Sequence, residues 1–335
     1  MGKKIKVGII GCGYWGPNLI RNFNNNPNCE IKCISDLRSG RLEFINSLYP
    51  GIKTSADPAD VYNDKDIDAV VIATPVNTHK DLGVISMLNG KDVFIEKPLT
   101  NDLKSAVELV DTAVKNNKII AVGHIFQFSP AVAAIKDFID EGKLGKVHHL
   151  SSQRINLGPP KTTVDVVWDL GPHDLSIIFY LFNEFPVKIN AFGQSCWWEG
   201  YVDNAHIYMD FPSGKSAHIH LSWLSSKKIR DTKLFGENGN IEYNETAETN
   251  KVIFYDKGID TRINAKDSEV KNLQYGMGSV YNVPVKAGEP LSNEVNAFID
   301  SVISRTDPIN NGTIGMEVVK SLELITKAIK ENSNE

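Results

Sequence analysis

Three glycines and an aspartate near the N-terminus carry the first chemical signal. Gly11, Gly13 and Gly16 form G-x-G-x-x-G between the apolar run IKVGII and a stretch with helical spacing. In that context the first glycine permits a tight turn and the second lets backbone approach a pyrophosphate. The third allows close packing of helix on strand. Tyr14 and Trp15 share the turn, and the helix behind it offers free N–H groups to phosphate. Asp36 follows Gly16 by twenty residues, at the end of a second apolar run. A carboxylate there accepts hydrogen bonds from both hydroxyls of an adenosine ribose and repels a 2′-phosphate. The expected cofactor is NAD, with NADP less favoured although Arg38 and Arg41 stand close by. A structural glycine turn with a capping aspartate is the plainer reading.

Two further apolar runs end in polar groups. AVVIATPVNTH ends with Thr74-Pro75 and places Asn77 and His79 just beyond, and VFIEKPL ends with Glu96-Lys97-Pro98. In an open parallel sheet, ligands bind outside the carboxyl ends of the strands, so both segments are expected to face the cofactor. A residue before proline is biased towards extended backbone, which directs the Lys97 ammonium into the same crevice. Later, WDLGPHD places Asp169 four residues before His173, on one face of a helix. Asp169 is also a candidate cap for that helix, with Pro172 in its first turn. An imidazole titrates near neutral pH and makes His173 the best proton acceptor, while an ammonium stabilises a developing alkoxide. Plainer roles stay open: a cap for Asp169, a packed helix residue for His173, a solvated strand end for Lys97.

The elements that must position these groups fall into two textures. Short, wholly apolar runs at 5–10, 31–35, 69–73, 93–95 and 119–122 alternate with helical segments at 18–24, 78–88 and 103–116. Strands of this kind, separated by helices, imply a doubly wound parallel sheet covered on both faces. After about residue 124 the pattern changes to a helix at 129–141 and strands that alternate, such as 217–223 and 240–243. Helices at 293–304 and 316–331 close the chain. The expected architecture is α/β: an NAD-binding Rossmann domain over residues 1–123, then an α+β domain over 124–335 on an open, largely antiparallel sheet.

Composition narrows the field. With 335 residues the chain fits two domains, and 41% hydrophobic against 23% charged residues suits a folded core. No apolar run approaches the ~18 residues that span a bilayer, and MGKKIKVGIIGCG runs into a glycine turn too soon for a signal peptide. A net charge of −5 offers no general attraction for nucleic acid. Cys12, Cys29, Cys33 and Cys196 lack a pairing pattern, so reduced thiols and a cytoplasmic location are expected. No metal site is expected, because His148-His149 and His218-x-His220 read as ordinary strand histidines.

Taken together, the glycine turn, E-K-P, VGHIFQFSPAV and the D-x-x-x-H pair resemble the Gfo/Idh/MocA family over nearly the whole chain. The resemblance implies that Lys97 sits between nicotinamide and substrate, that Asp169 and His173 complete the catalytic set, and that the protein is a homodimer or homotetramer. Many members carry arginine where this chain has Gln127, here counted among cofactor-binding candidates. The wording of QRINLGPPKTTVDVVWDLGPHDLSI is similar to members that oxidise the 3-hydroxyl of UDP-N-acetylglucosamine or its uronate. That substrate class is the expectation, with His124, Arg154 and Asn156 as substrate contacts and Arg154 and Lys161 as candidate diphosphate partners. A dehydrogenase of a free sugar or inositol is one alternative. A non-catalytic NAD-binding regulator is another, since the family includes a galactose-pathway repressor.

Overall fold

A computed structural model describes residues 4–158, 164–257 and 278–333; Lys161 lies outside them. Two compact units emerge, one of residues 1–128 with 288–323, the other of residues 129–287 with 324–335.

The first unit carries six parallel strands: β1 (Ile5–Ile10), β2 (Cys29–Ser35), β3 (Lys53–Ser55), β4 (Ala69–Ile72), β5 (Asp92–Ile95) and β6 (Ile120–Val122), in the spatial order β3-β2-β1-β4-β5-β6. The order reverses at β1, so the turn after β1 opens at the switch point where doubly wound sheets bind dinucleotides. Helices α1 (Gly16–Asn25), α2 (Ser39–Leu48), α3 (Ala59–Tyr62), α4 (His79–Leu88) and α5 (Leu103–Lys115) connect the strands. Asp102 caps α5, its carboxylate accepting from the Ser105 amide at 2.8 Å.

The second unit holds α6 (Pro130–Asp140), β7 (Val147–Leu157), α7 (Val166–Phe182) and seven more strands. These are β8 (Lys188–Gln194), β9 (Asn204–Asp210), β10 (Ser216–Ser222), β11 (Leu224–Gly236), β12 (Gly239–Asn244), β13 (Val252–Tyr255) and β14 (Val280–Asn282). The sheet runs β14-β13-β12-β11-β7-β10-β9-β8, antiparallel except between β7 and β10. One face is buried by alternation, as in Ala205, Ile207 and Met209 of β9, and the other is polar. On that polar face His206 stacks on His220 with ring centroids 4.2 Å apart. Among the described residues no cluster of His, Cys, Asp or Glu could hold a metal ion, and no helix is long and apolar enough to cross a membrane.

Two expectations are corrected. Helix α8 (Pro290–Ser304) belongs to the first unit rather than to a second domain spanning 124–335. It buries Leu291, Val295, Phe298 and Ile299 in the core around Phe23 and Phe94, and the Phe23, Phe94 and Phe298 rings meet edge to face at 5.7–6.2 Å. The last helix, α9 (Gly312–Asn332), contributes residues to both units. Asp169 is also not the cap of α7. Asp165 is, its carboxylate accepting the Trp168 amide at 3.0 Å, and this puts Asp169 in the first turn and Pro172 inside the helix.

Candidate active site

The G-x-G-x-x-G turn is built by contacts that leave no room for side chains at two glycines. Gly11 has φ +98°, and a Cβ there would stand 2.6 Å from the Ala73 carbonyl oxygen. A Cβ on Gly16 would stand 2.7 Å from the Gly11 oxygen. Gly13 differs: its nearest neighbour is an Arg38 nitrogen at 3.5 Å, so the backbone there is open to an incoming group. Tyr14 is 94% exposed, and Trp15 is the residue before α1. This crowding on the protein side and openness on the other fit a pyrophosphate.

Asp36 follows β2 directly, beside that turn. Its Oδ2 accepts the Cys12 amide at 2.9 Å and Arg38 Nη2 at 3.0 Å; its Oδ1 accepts the Arg38 amide at 3.0 Å and Arg38 Nε at 2.9 Å. Burial alone would push its pKa up, but the Arg38 side chain and the two amides outweigh it and hold the carboxyl well below the usual range. Arg41 Nε donates to the Cys12 carbonyl at 2.8 Å and its Nη2 to the Gly13 carbonyl. The adjacent Cys12 thiol is pushed up to about 12 by burial and then by the Asp36 charge.

The loops after β4 and β5 are braced together. Thr74 and Thr78 hydroxyls lie 2.7 Å apart, and Pro75 and Asn77 are exposed. His79 is buried, its ring nitrogens 2.9 Å from the Thr74 carbonyl and 3.1 Å from the Pro98 carbonyl. Burial lowers its pKa despite the carbonyls, and the neutral ring donates its one N–H to one of them, according to the tautomer. The structure thus makes His79 a brace between the two loops, where a cofactor contact was expected. The Lys97-Pro98 peptide is cis. Glu96 Oε2 accepts the Lys97 amide at 3.2 Å, and its Oε1 is buried with no partner among the described residues. Burial raises Glu96 to about 7 against the opposing Lys97 charge. His124, just past β6, is buried with both ring nitrogens unpartnered among the described residues. Its pKa falls to about 3 through burial and then the Lys97 charge, which keeps it neutral. Gln127 is buried one turn further on, its backbone N–H donating to the His124 carbonyl at 3.0 Å.

In the second unit, Asp169 and His173 are one turn apart on α7, both partly exposed. The next residue, Asp174, is buried and anchors the helix to β7. Its carboxylate accepts Arg154 Nε at 2.6 Å and the Ser152 hydroxyl at 2.5 Å, while Arg154 Nη1 donates to Glu245 at 3.1 Å. Arg154, 4% exposed, is therefore committed to two carboxylates where a diphosphate contact was expected. Asn156 Oδ1 accepts from Arg230, which also donates to the Ile155 carbonyl at 3.0 Å. Sequence reasoning missed Asp174, Arg230 and Glu245. Charged residues inside alternating or helical apolar patterns were the available signal.

Residues 5–124 match a family model described as oxidoreductase family, NAD-binding Rossmann fold, and residues 132–242 match the GFO/IDH/MocA C-terminal domain. A scyllo-inositol 2-dehydrogenase (NAD(+)) of Bacillus subtilis (strain 168) is 30% identical over 239 residues, 67% of this chain and 69% of the relative. An inositol 2-dehydrogenase of Mycolicibacterium smegmatis is 28% identical over 227 residues, 65% of each chain. The solved UDP-N-acetylglucosamine 3-dehydrogenase from Acidithiobacillus ferrooxidans superposes with a TM-score of 0.83 at 20% identity, covering 98% of this chain and 99% of that one, a likeness of fold. With both of its matched segments and a relative at 30% identity in agreement, the chain belongs to the GFO/IDH/MocA family of NAD-binding oxidoreductases.

Proposed function

We propose that the protein oxidises a secondary hydroxyl of a free polyhydroxylated ring, a cyclitol or an unlinked sugar, with NAD as acceptor. The observation that carries the ring's class is the engagement of Arg154 between Asp174 and Glu245: the cation that favoured a diphosphate-bearing substrate is already neutralised. The names of the two inositol dehydrogenases at 30% and 28% identity support the same class. A nucleotide-linked sugar is the second reading, favoured by the wording of residues 153–177.

The Gly11–Gly16 turn, Asp36, Thr74, Pro75 and Asn77 would hold the dinucleotide, Asp36 exchanging its Arg38 contacts for ribose hydroxyls. Bound NAD supplies the hydride acceptor. Lys97 contributes an ammonium that stabilises negative charge on the reacting oxygen as its proton leaves. His173 takes that proton, and Asp169, one helical turn earlier, orients the imidazole. Neutral His124 offers a hydrogen-bonding ring without competing for the proton.

The test incubates pure protein with NAD and a panel of inositols, free hexoses, UDP-N-acetylglucosamine and its uronate, following NADH absorbance. Turnover of inositols or free sugars is expected, and turnover confined to the UDP-linked members rejects the free-ring reading. Lys97→Met and His173→Ala should each lower kcat by about 10²–10⁴-fold with NADH binding retained. Rates within a few-fold of wild type would remove those roles.

A further inference from the structure

A second carboxyl lies behind the E-K-P segment. Glu294 sits within the apolar stripe of α8, between Leu291 and Val295, and is 1% exposed. Its Oε1 takes a long 3.3 Å hydrogen bond from Asn310 Nδ2, which also donates to the Val122 carbonyl at 2.6 Å. Its Oε2 is buried with no partner among the described residues. Glu96 reaches the same stretch of chain from the sheet side: its Oε2 lies where a Cβ on Gly123 would approach to 2.9 Å. The neighbours of this pair are few. Lys97 and its amide act on Glu96, as does the Trp15 side chain; Asn310 acts on Glu294; His124 is neutral.

We propose that Glu294 is held as a neutral carboxylic acid, that Glu96 carries the pair's single negative charge, and that Glu96 is thereby a positioning residue for the Lys97 ammonium. Two enclosed carboxyls cannot both ionise, because each charge raises the cost of the other. The asymmetry of partners decides which one keeps its proton. Glu96 has a cation and an amide N–H beside it; Glu294 has one long amide contact. A protonated Glu294 also replaces a stranded anionic oxygen by a hydroxyl, which removes the larger desolvation cost. The directions agree: burial and the Glu96 charge push Glu294 well above the usual carboxyl range, while Glu96 rises only to about 7. Above that pH, the Glu96 carboxylate favours the charged ammonium and helps to hold it in place; below it, that contribution is lost. This role rests on the assignment of Lys97 to the reacting oxygen, while the protonation pattern does not.

Infrared spectroscopy of the protein tests the pattern without turnover. Wild type at pH 7 to 8 should show a neutral carboxylic-acid C=O band that disappears in Glu294→Gln, and a carboxylate titrating near pH 7 that disappears in Glu96→Gln. Because glutamine mimics the neutral acid, Glu294→Gln should move the Glu96 midpoint by less than about half a pH unit. An ionised Glu294 would instead drop it by about a unit or more on removal. In the enzyme, Glu96→Gln should lower kcat by roughly ten- to a hundredfold, the order expected from a misplaced catalytic group, with the NAD Kd kept within about threefold. A missing acid band, a band indifferent to Glu294→Gln, or an undiminished kcat in Glu96→Gln overturns the proposal. Should Lys97→Met retain full turnover, the Lys97 assignment fails while the infrared result still decides the protonation pattern.

Discussion

Replacing Asp36 by asparagine separates the charge of this residue from its shape. In the structure the carboxylate holds the Cys12 amide, the Arg38 amide and the Nε–Nη2 edge of the Arg38 guanidinium, at 2.9–3.0 Å throughout. Asparagine keeps one acceptor oxygen for the Cys12 amide, so the glycine turn stays formed. What it loses is the anion for two ribose hydroxyls. Hydrogen bonds to a charged acceptor contribute about 1.5–3 kcal/mol and neutral ones about 0.5–1.5, so two weakened bonds cost roughly 2–3 kcal/mol. At about 1.4 kcal/mol per tenfold, NADH should bind roughly 30- to 150-fold more weakly. NADPH should move the other way, since the repulsive charge is gone and Arg38, its side chain 64% exposed, is released to meet a 2′-phosphate. Fluorescence titration with each reduced cofactor measures both without a substrate. A change in NADH affinity below about threefold, or NADPH binding that fails to tighten, refutes the assignment of Asp36 to the ribose. Stability supplies an independent check. The folded-state pKa of Asp36 is depressed, so its contribution is fully present above the ordinary carboxylate pKa of about 4 and fades as pH falls through the folded value. The wild-type advantage in Tm over Asp36→Asn should therefore be constant at neutral pH and shrink in acid.

The glycine turn and the buried ion pair make two further predictions. Gly11→Ala forces a side chain onto a backbone at φ +98° and into the Ala73 carbonyl, costing about 1–3 kcal/mol of stability along with NADH binding. Gly13→Ala meets only the Arg38 side chain, at an ordinary contact distance of 3.5 Å, so it should leave the urea midpoint unchanged and weaken NADH alone; equal effects of the two on stability would contradict this account. Arg154→Met strands the Asp174 carboxylate in the interior and should cost about 3–5 kcal/mol, much of it recovered in Arg154→Met/Asp174→Leu. A loss under about 1 kcal/mol in urea unfolding would mean that the pair does not hold α7 on β7.

What was legible in the sequence was local. The glycine spacing, Asp36 and the E-K-P segment each announce a backbone conformation or a strand end within a few residues, because the constraint they answer is a turn, a helix start or the carboxyl end of a strand. The alternation of wholly apolar strands with helices likewise implied a covered parallel sheet. Four features escaped, all but the helix cap because they depend on partners far along the chain. Asp165 and Asp169 are equally good caps by type, and only the position of the Trp168 amide selects the first. Arg154 reads as an exposed cation until Asp174 and Glu245 close on it, and Glu294 reads as a solvated helix residue until α8 packs against Phe23 and Phe94. Strand pairing in the second sheet, where β7 lies between β11 and β10, joins segments some seventy residues apart. A side chain's type limits the bonds it can make, but its burial, and with it its charge, is set by whichever distant element covers it.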